Sequence, residues 1–200
     1  MAIPTHRLCV YCGSGPGRNP AYMQAADDLG IAMAKADIGL VYGGGGMGLM
    51  GQVARGVLSA GGHVTGIIPE FLVNRERMLE GVSELIVTNT MHERKTMMFE
   101  KATGFVALPG GVGTLEELAE ITTWAQLGQH AKPLIVCNIE NYWDPLLVLL
   151  DHMRAESFIR AGMEVLVEVA KTAADVVPIY KHRRSVTVDK VPLKIIQDKL

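Results

Sequence analysis

The chain has 200 residues, 48% of them hydrophobic and 20% charged, with a formal net charge of −2. A chain of this size and balance can bury a core without metals or disulfides, which excludes a disordered protein. The near-neutral charge and an aromatic content of 6% speak against a nucleic-acid surface, and no apolar run approaches the ~20 residues of a membrane span.

The N-terminal segment Met1-Ala-Ile-Pro-Thr-His-Arg7 lacks the basic-then-apolar shape of a secretory leader. With three cysteines, an odd number, the expected compartment is the reducing cytoplasm. The first strand runs from Leu8 to Cys12. It contains a C-x-x-C pair, Cys9 and Cys12, but positions three apart on a strand face opposite sides. Buried strand cysteines are therefore expected, not a redox couple. Gly13-Ser14-Gly15-Pro16-Gly17 follows, then an amphipathic stretch from Ala21 to Lys35. The second strand, Gly39 to Tyr42, leads into Gly43-Gly44-Gly45-Gly46-Met47-Gly48 and a helix from Met47 to Ala60. Strands are expected at Val64 to Ile68, Glu84 to Thr88, Phe105 to Leu108, Leu134 to Asn138 and Val165 to Val169. Helices are expected at Met91 to Thr103, Leu115 to Leu127 and Pro145 to Glu156.

Strands alternating with helices imply an α/β fold: a Rossmann-like, doubly wound, mostly parallel sheet of about seven strands with helices on both faces. The strands are continuous apolar runs, as strands covered on both faces should be. Residues 1–180 form one expected domain, and residues 181–200 a basic tail or packing arm. Ligands of such sheets sit beyond the C-terminal strand ends, and three glycine loops fall there. They should line one polar, backbone-rich crevice.

Gly43, Gly45 and Gly48 satisfy G-x-G-x-x-G, and Glu70 fits only loosely the spacing at which a dinucleotide fold carries its acidic residue. The motif follows the second strand instead of the first, which weakens a nicotinamide reading. Pro109-Gly-Gly-Val-Gly-Thr-Leu-Glu-Glu117 is more specific. Thr114 and Glu117 have capping-box spacing, and Gly110, Gly111 and Gly113 leave amides bare at a helix N-terminus, a natural phosphate site. Thr90 and Glu93 have the same spacing before another helix, whose opening turns carry Arg94 and Lys95. Cations there oppose the helix dipole unless an anion is near.

Met91-x-x-Arg94-Lys95 followed by Pro109-Gly-Gly-x-Gly-Thr-x-x-Glu117 resembles the signature of the LONELY GUY family, the cytokinin riboside 5′-monophosphate phosphoribohydrolases long mislabelled lysine decarboxylases. Val10-Tyr-Cys-Gly-Ser14, Leu40-Val-Tyr-Gly-Gly-Gly45, Gly48-Leu-Met-Gly51 and Ile121-Thr-Thr-Trp-Ala-Gln-Leu-Gly128 extend the likeness over most of the chain. The resemblance implies a cytoplasmic homodimer that hydrolyses a nucleoside 5′-monophosphate to free base and ribose 5-phosphate, without cofactor or metal. It implies catalytic roles for Arg94 and Glu117. Substrate contacts are implied for Glu76, Lys95, Thr123 and the loop Gly111, Val112, Gly113, Thr114, Leu115 and Glu116. Gly110, Ser14 and Gly45 complete the expected lining. The segment Val73-Asn-Arg-Glu76-Arg77 departs from the family's usual pattern around Glu76.

The chemistry asks for a carboxylate beside an oxocarbenium-like C1′. At a helix start Glu117 is expected to be ionised, suited to act as base or electrostatic stabiliser. Arg94 is expected to hold phosphate or ribose and to pair with Glu117, since a guanidinium is no proton donor. No general acid is evident. A pyridoxal reading would need a Schiff-base lysine among Lys95, Lys101, Lys132 and Lys171. The alternative from another class is a non-catalytic nucleotide or phosphoester carrier.

Overall fold

The computed structural model describes residues 3–73, 77–159 and 166–188. Seven strands form one sheet: β1 (His6–Tyr11), β2 (Ile38–Tyr42), β3 (Val64–Pro69), β4 (Glu84–Thr88), β5 (Gly104–Ala107), β6 (Leu134–Cys137) and β7 (Val167–Ala170). Their order is β4-β3-β2-β1-β5-β6-β7, and every pairing is parallel. This is the expected doubly wound α/β architecture. The chain works outward from β1 to β4, then returns to pair β5 on the other side of β1. That reversal creates the switch point where a crevice opens.

The central strands have no exposed face. All residues of β2, β3, β5 and β6 are buried, which explains their unbroken apolar runs. Helices α1 (Pro20–Lys35) and α2 (Gly48–Ser59) cover one face with α7 (Ala173–Val188). Helices α4 (Met91–Lys101) and α5 (Val112–Gln126) cover the other. The short α3 (Glu70–Val73) precedes β4, and α6 (Asp144–Ala155) follows β6 after a 3-10 turn at Ile139–Asn141. Close packing of α1 on α2 depends on glycine. A Cβ on Gly30 would lie 2.4 Å from the Val53 carbonyl oxygen, and one on Gly56 would lie 2.6 Å from that of Asp27.

The edges are less regular. Leu85 and Val87 of β4 point into solvent. β7 starts two residues and ends one residue later than the expected strand, whose Val165 lies outside the described residues. Helix α7 is not foreshadowed by a clear apolar stripe and even contains Pro178. It continues through Lys181 without a break, and the buried Tyr180 hydroxyl bonds Thr103 Oγ1 at 2.6 Å.

Candidate functional site

The three glycine loops meet at the switch point through backbone atoms. The Gly13 amide donates to the Pro109 carbonyl (3.0 Å), and the Leu49 amide donates to the Gly13 carbonyl (3.1 Å). Gly48 adopts a φ of +54°, and a Cβ there would stand 2.3 Å from the Ser14 carbonyl oxygen. Ser14 is exposed at the rim. Gly45 is buried and bridges Met78, so it braces the loop instead of facing solvent. This wall contains no dinucleotide fingerprint in the required place, the first strand–helix turn.

Helix α5 begins earlier than its spacing suggested. Gly111 is the N-cap and carries no side-chain cap, and the Leu115 amide makes the first bond back to the Gly111 carbonyl (3.1 Å). Thr114 is therefore not the cap. It is the third helical residue, buried, with its side chain folded onto Gly110, where a Cβ would lie 2.1 Å from Thr114 Oγ1. The amides of Val112, Gly113 and Thr114 are the ones that an α-helix leaves without internal partners. Gly111 and Gly113 have open space where a Cβ would go. Packing does not require glycine at these two positions, and its absence of side chain leaves the helix mouth bare.

Helix α4 starts as expected. Thr90 Oγ1 accepts from the Glu93 amide (3.1 Å), while Glu93 accepts from the Asn89 amide (2.9 Å). The return bond lands one residue before the cap. One turn on, Arg94 is buried against Gly43, whose hypothetical Cβ would fall 2.2 Å from Nη2. Arg94 Nη2 lies 3.5 Å from Glu117 Oε1. Among the described residues its Nε has no hydrogen-bond partner. Neighbouring Lys95 is held by Glu116 (2.8 Å) and Glu120 (3.0 Å), and the Glu116 contact, followed by Glu120, raises its pKa despite partial burial.

Glu117 differs from expectation in a way that bears on chemistry. It lies in the second turn of α5, beyond the strongest part of the dipole, with only 13% of its side chain exposed. Burial pushes its carboxyl up from 4.5 to about 7; Arg94 opposes this, while Glu116 adds to it. Desolvation outweighs the ion pair because a single contact at 3.5 Å does not replace the lost water. Glu117 is thus poised between acid and base near neutrality, not fixed as a carboxylate.

Other expected residues are distributed unevenly. Val112, Leu115 and Glu116 are exposed on the first turns of α5. Thr123 is exposed on the same helix, nine residues beyond Thr114 and so roughly 13 Å further along its axis. It does not share the helix mouth within one chain. Glu76 lies outside the described residues. Cys9, Cys12 and Cys137 are all buried. Burial pushes Cys137 up to about 12 and Cys9 well above its usual range, the opposite of the lowered thiol that a redox-active Cys9 would need. Among the described residues no His, Cys, Asp and Glu group could hold a metal ion, and no helix is long and apolar enough to cross a membrane.

Sequence reasoning missed Tyr142. Its hydroxyl donates to the Gly110 carbonyl oxygen, and its ring stands edge-on to Tyr22 and Trp143. The signal available was positional: Asn138-Ile-Glu-Asn-Tyr142 follows β6 at the ligand edge of the sheet.

The fold and crevice define a Rossmann-like α/β protein whose switch point pairs a bare helix mouth with a buried Arg–Glu couple. The family model described as "Possible lysine decarboxylase" matches residues 50–179. The chain is 47% identical to cytokinin riboside 5′-monophosphate phosphoribohydrolase LOG of Oryza sativa subsp. japonica, over 86% of this chain and 71% of that protein. It is 46% identical to cytokinin riboside 5′-monophosphate phosphoribohydrolase LOG3 of Arabidopsis thaliana, over 86% and 80% respectively. Among solved structures, the molybdenum cofactor binding protein of Rippkaea orientalis shares the fold, with a TM-score of 0.66 and 24% identity over 90% of this chain and 98% of that one. The chain belongs to the LONELY GUY family.

Proposed function

We propose that the chain hydrolyses the N-glycosidic bond of a nucleoside 5′-monophosphate carrying adenine or an N6-modified adenine, releasing the base and ribose 5-phosphate. The observation that carries this reading is the buried Arg94–Glu117 couple beside the bare start of α5. The names of the relatives, all phosphoribohydrolases of cytokinin riboside 5′-monophosphates, point the same way.

The phosphate sits at the amides of Val112, Gly113 and Thr114, where the helix dipole and the missing side chains of Gly111 and Gly113 favour a dianion. Anchored there, the ribose presents C1′ toward Glu117. Water adds its oxygen to C1′ as the C1′–N bond breaks, and the bonding pair leaves with the base. Glu117 in its ionised form takes the proton of the water and can pass it to the departing base, since a carboxyl near 7 holds a proton only loosely at neutral pH. Arg94 keeps enough of Glu117 ionised and faces the ribose hydroxyls. Lys95 orders Glu116 and Glu120 around the entrance.

Pyridoxal chemistry fits these residues poorly. It needs a lysine that can lose its proton beside the phosphate, whereas Lys95 is held protonated by Glu116 and Glu120. Lys132 precedes β6, at the opposite end of the sheet.

We further propose a cytoplasmic homodimer. Val112, Leu127, Val148, Leu149 and Phe158 leave much of their apolar surface in solvent along α5, α6 and the segment after it. Apolar exposure on this scale marks a contact face, and a partner there could bring Thr123 close to a crevice it does not reach alone.

The test is incubation with AMP and with N6-isopentenyladenosine 5′-monophosphate, followed by chromatography. Free base and ribose 5-phosphate are expected from the monophosphates and none from the nucleosides. Tight binding with intact nucleotide would instead establish the carrier reading.

A further inference from the structure

Between β6 and α6 the backbone does something costly with no evident packing reward. Two consecutive residues other than glycine, Glu140 and Asn141, hold positive φ angles of 51° and 58°. Such strain persists only when surroundings impose it, and it collects at functional sites. Here the side chain of Asn138 imposes it. Its amide nitrogen donates to Asp144 (2.7 Å), and its oxygen accepts from the Trp143 amide (2.7 Å). The turn is thereby clamped at both ends, and what it delivers is Tyr142.

The tyrosine ring is fixed from two sides, by Tyr22 at 5.6 Å and Trp143 at 5.1 Å between centroids. Tyr22 in turn lies over Gly17, where a Cβ would come within 2.7 Å of its ring. The phenol at the end of this chain of contacts donates to the Gly110 carbonyl. That carbonyl and the Gly111 amide belong to one trans peptide plane, so the two bonds point in opposite directions. Gly110 and Gly111 are the pair least able to hold their own plane, having no side chains to restrict it. Fixing the carbonyl therefore aims the amide.

We propose that Tyr142 is a positioning residue that orients the Gly110–Gly111 peptide, directing the Gly111 amide toward the phosphate of the nucleotide. The inference rests on the phosphoribohydrolase reading for the identity of the ligand. The phenol touches neither substrate nor reacting atoms.

The test uses the intact chain and Tyr142→Phe, which keeps the ring and its edge contacts and removes the hydroxyl. Ribose 5-phosphate and adenine are titrated separately by calorimetry, and AMP hydrolysis is followed as kcat and KM. In the variant, ribose 5-phosphate should bind about 3- to 10-fold more weakly, the range one net hydrogen bond spans. KM for AMP should rise in proportion, with adenine affinity and kcat nearly unchanged. A second variant, Tyr22→Leu, keeps the hydroxyl but frees the ring and should give a smaller loss of the same kind. Equal ribose 5-phosphate affinity in wild type and Tyr142→Phe overturns the assignment, as does parallel weakening of both ligands, the mark of a strut alone. A wild type that binds ribose 5-phosphate but leaves AMP intact sinks the hydrolase reading alone, and the titration then still decides the tyrosine. A wild type that binds neither ligand overturns both.

Discussion

Replacing Glu117 by Gln should cut turnover severely and stabilise the protein in alkaline solution. The folded chain holds this carboxyl at about 7 against an ordinary 4.5, so between these values the native state binds more protons than the unfolded chain. By linkage, stability is greatest below the unfolded value and is lost as pH rises through the folded one. At about 1.4 kcal/mol per tenfold change in acidity, the ionised carboxylate costs the native state roughly 3 kcal/mol near pH 8. A Gln resembles the protonated acid and should recover about 2 to 3 kcal/mol of that, an increase of roughly 2–4 °C in melting temperature for each kcal/mol in a chain of this size. The gain should shrink as pH is lowered and vanish near 4.5. Thermal unfolding of both proteins across that range measures it directly. Meanwhile kcat should fall by roughly 10²- to 10⁴-fold, the usual weight of a positioned acid–base group, while AMP still binds. An unchanged or lowered melting temperature near pH 8, or a gain that persists unaltered into acid, would refute the claim that burial controls this group.

The same carboxyl sets the pH profile of the wild type: kcat/KM should rise with a slope of one until about 7, measurable by initial rates at constant ionic strength. Because Arg94 is the largest influence that favours the ionised form, ahead of Lys95, Arg94→Met should move that limb to higher pH as well as reduce kcat. The loop glycines should split by kind. Gly113→Ala meets open space and should stabilise α5 by about 0.5–1 kcal/mol while raising KM for AMP. Gly110→Ala drives a methyl into Thr114 and the Gly13 amide and should cost roughly 1–3 kcal/mol of stability, seen as a lower urea midpoint. Val148→Asp, on an exposed apolar position of α6, should halve the mass found by light scattering.

Much of the fold was legible because burial on both faces leaves a plain mark. Strands β2, β3, β5 and β6 and the end of β1 are buried, largely apolar runs, and β1, β2 and β5 lead into glycine loops, while helices α1, α2, α4 and α6 start or stop within about a turn of the expected positions. What escaped reading lacks that mark. Helix α7 has little apolar asymmetry and an internal proline, and it docks through Ala173, Val176, Val177 and Tyr180, the last reaching Thr103 across 77 residues of sequence. The start of α5 was misplaced because Thr114 has the right residue type for a cap, yet its hydroxyl is used for packing against Gly110. Arg94 and Glu117 could be named from their motifs, and the structure brings them together. The state of Glu117 could not be, since its acidity follows from how much water the fold removes, not from its place on the helix. Tyr142 was silent for a similar reason: an aromatic beside a strand looks like core until its hydroxyl is seen on a backbone carbonyl.

The interlocking of the Gly13, Gly48 and Gly110 loops is built from amides, carbonyls and missing methyl groups. None of that framework belongs to Arg94 or Glu117, which project into it from α4 and α5. Reactivity and shelter are therefore separable inheritances in this architecture. The guanidinium and the acid could be exchanged with the vessel kept intact, and chains with under a quarter of their residues in common do share this fold along most of their length.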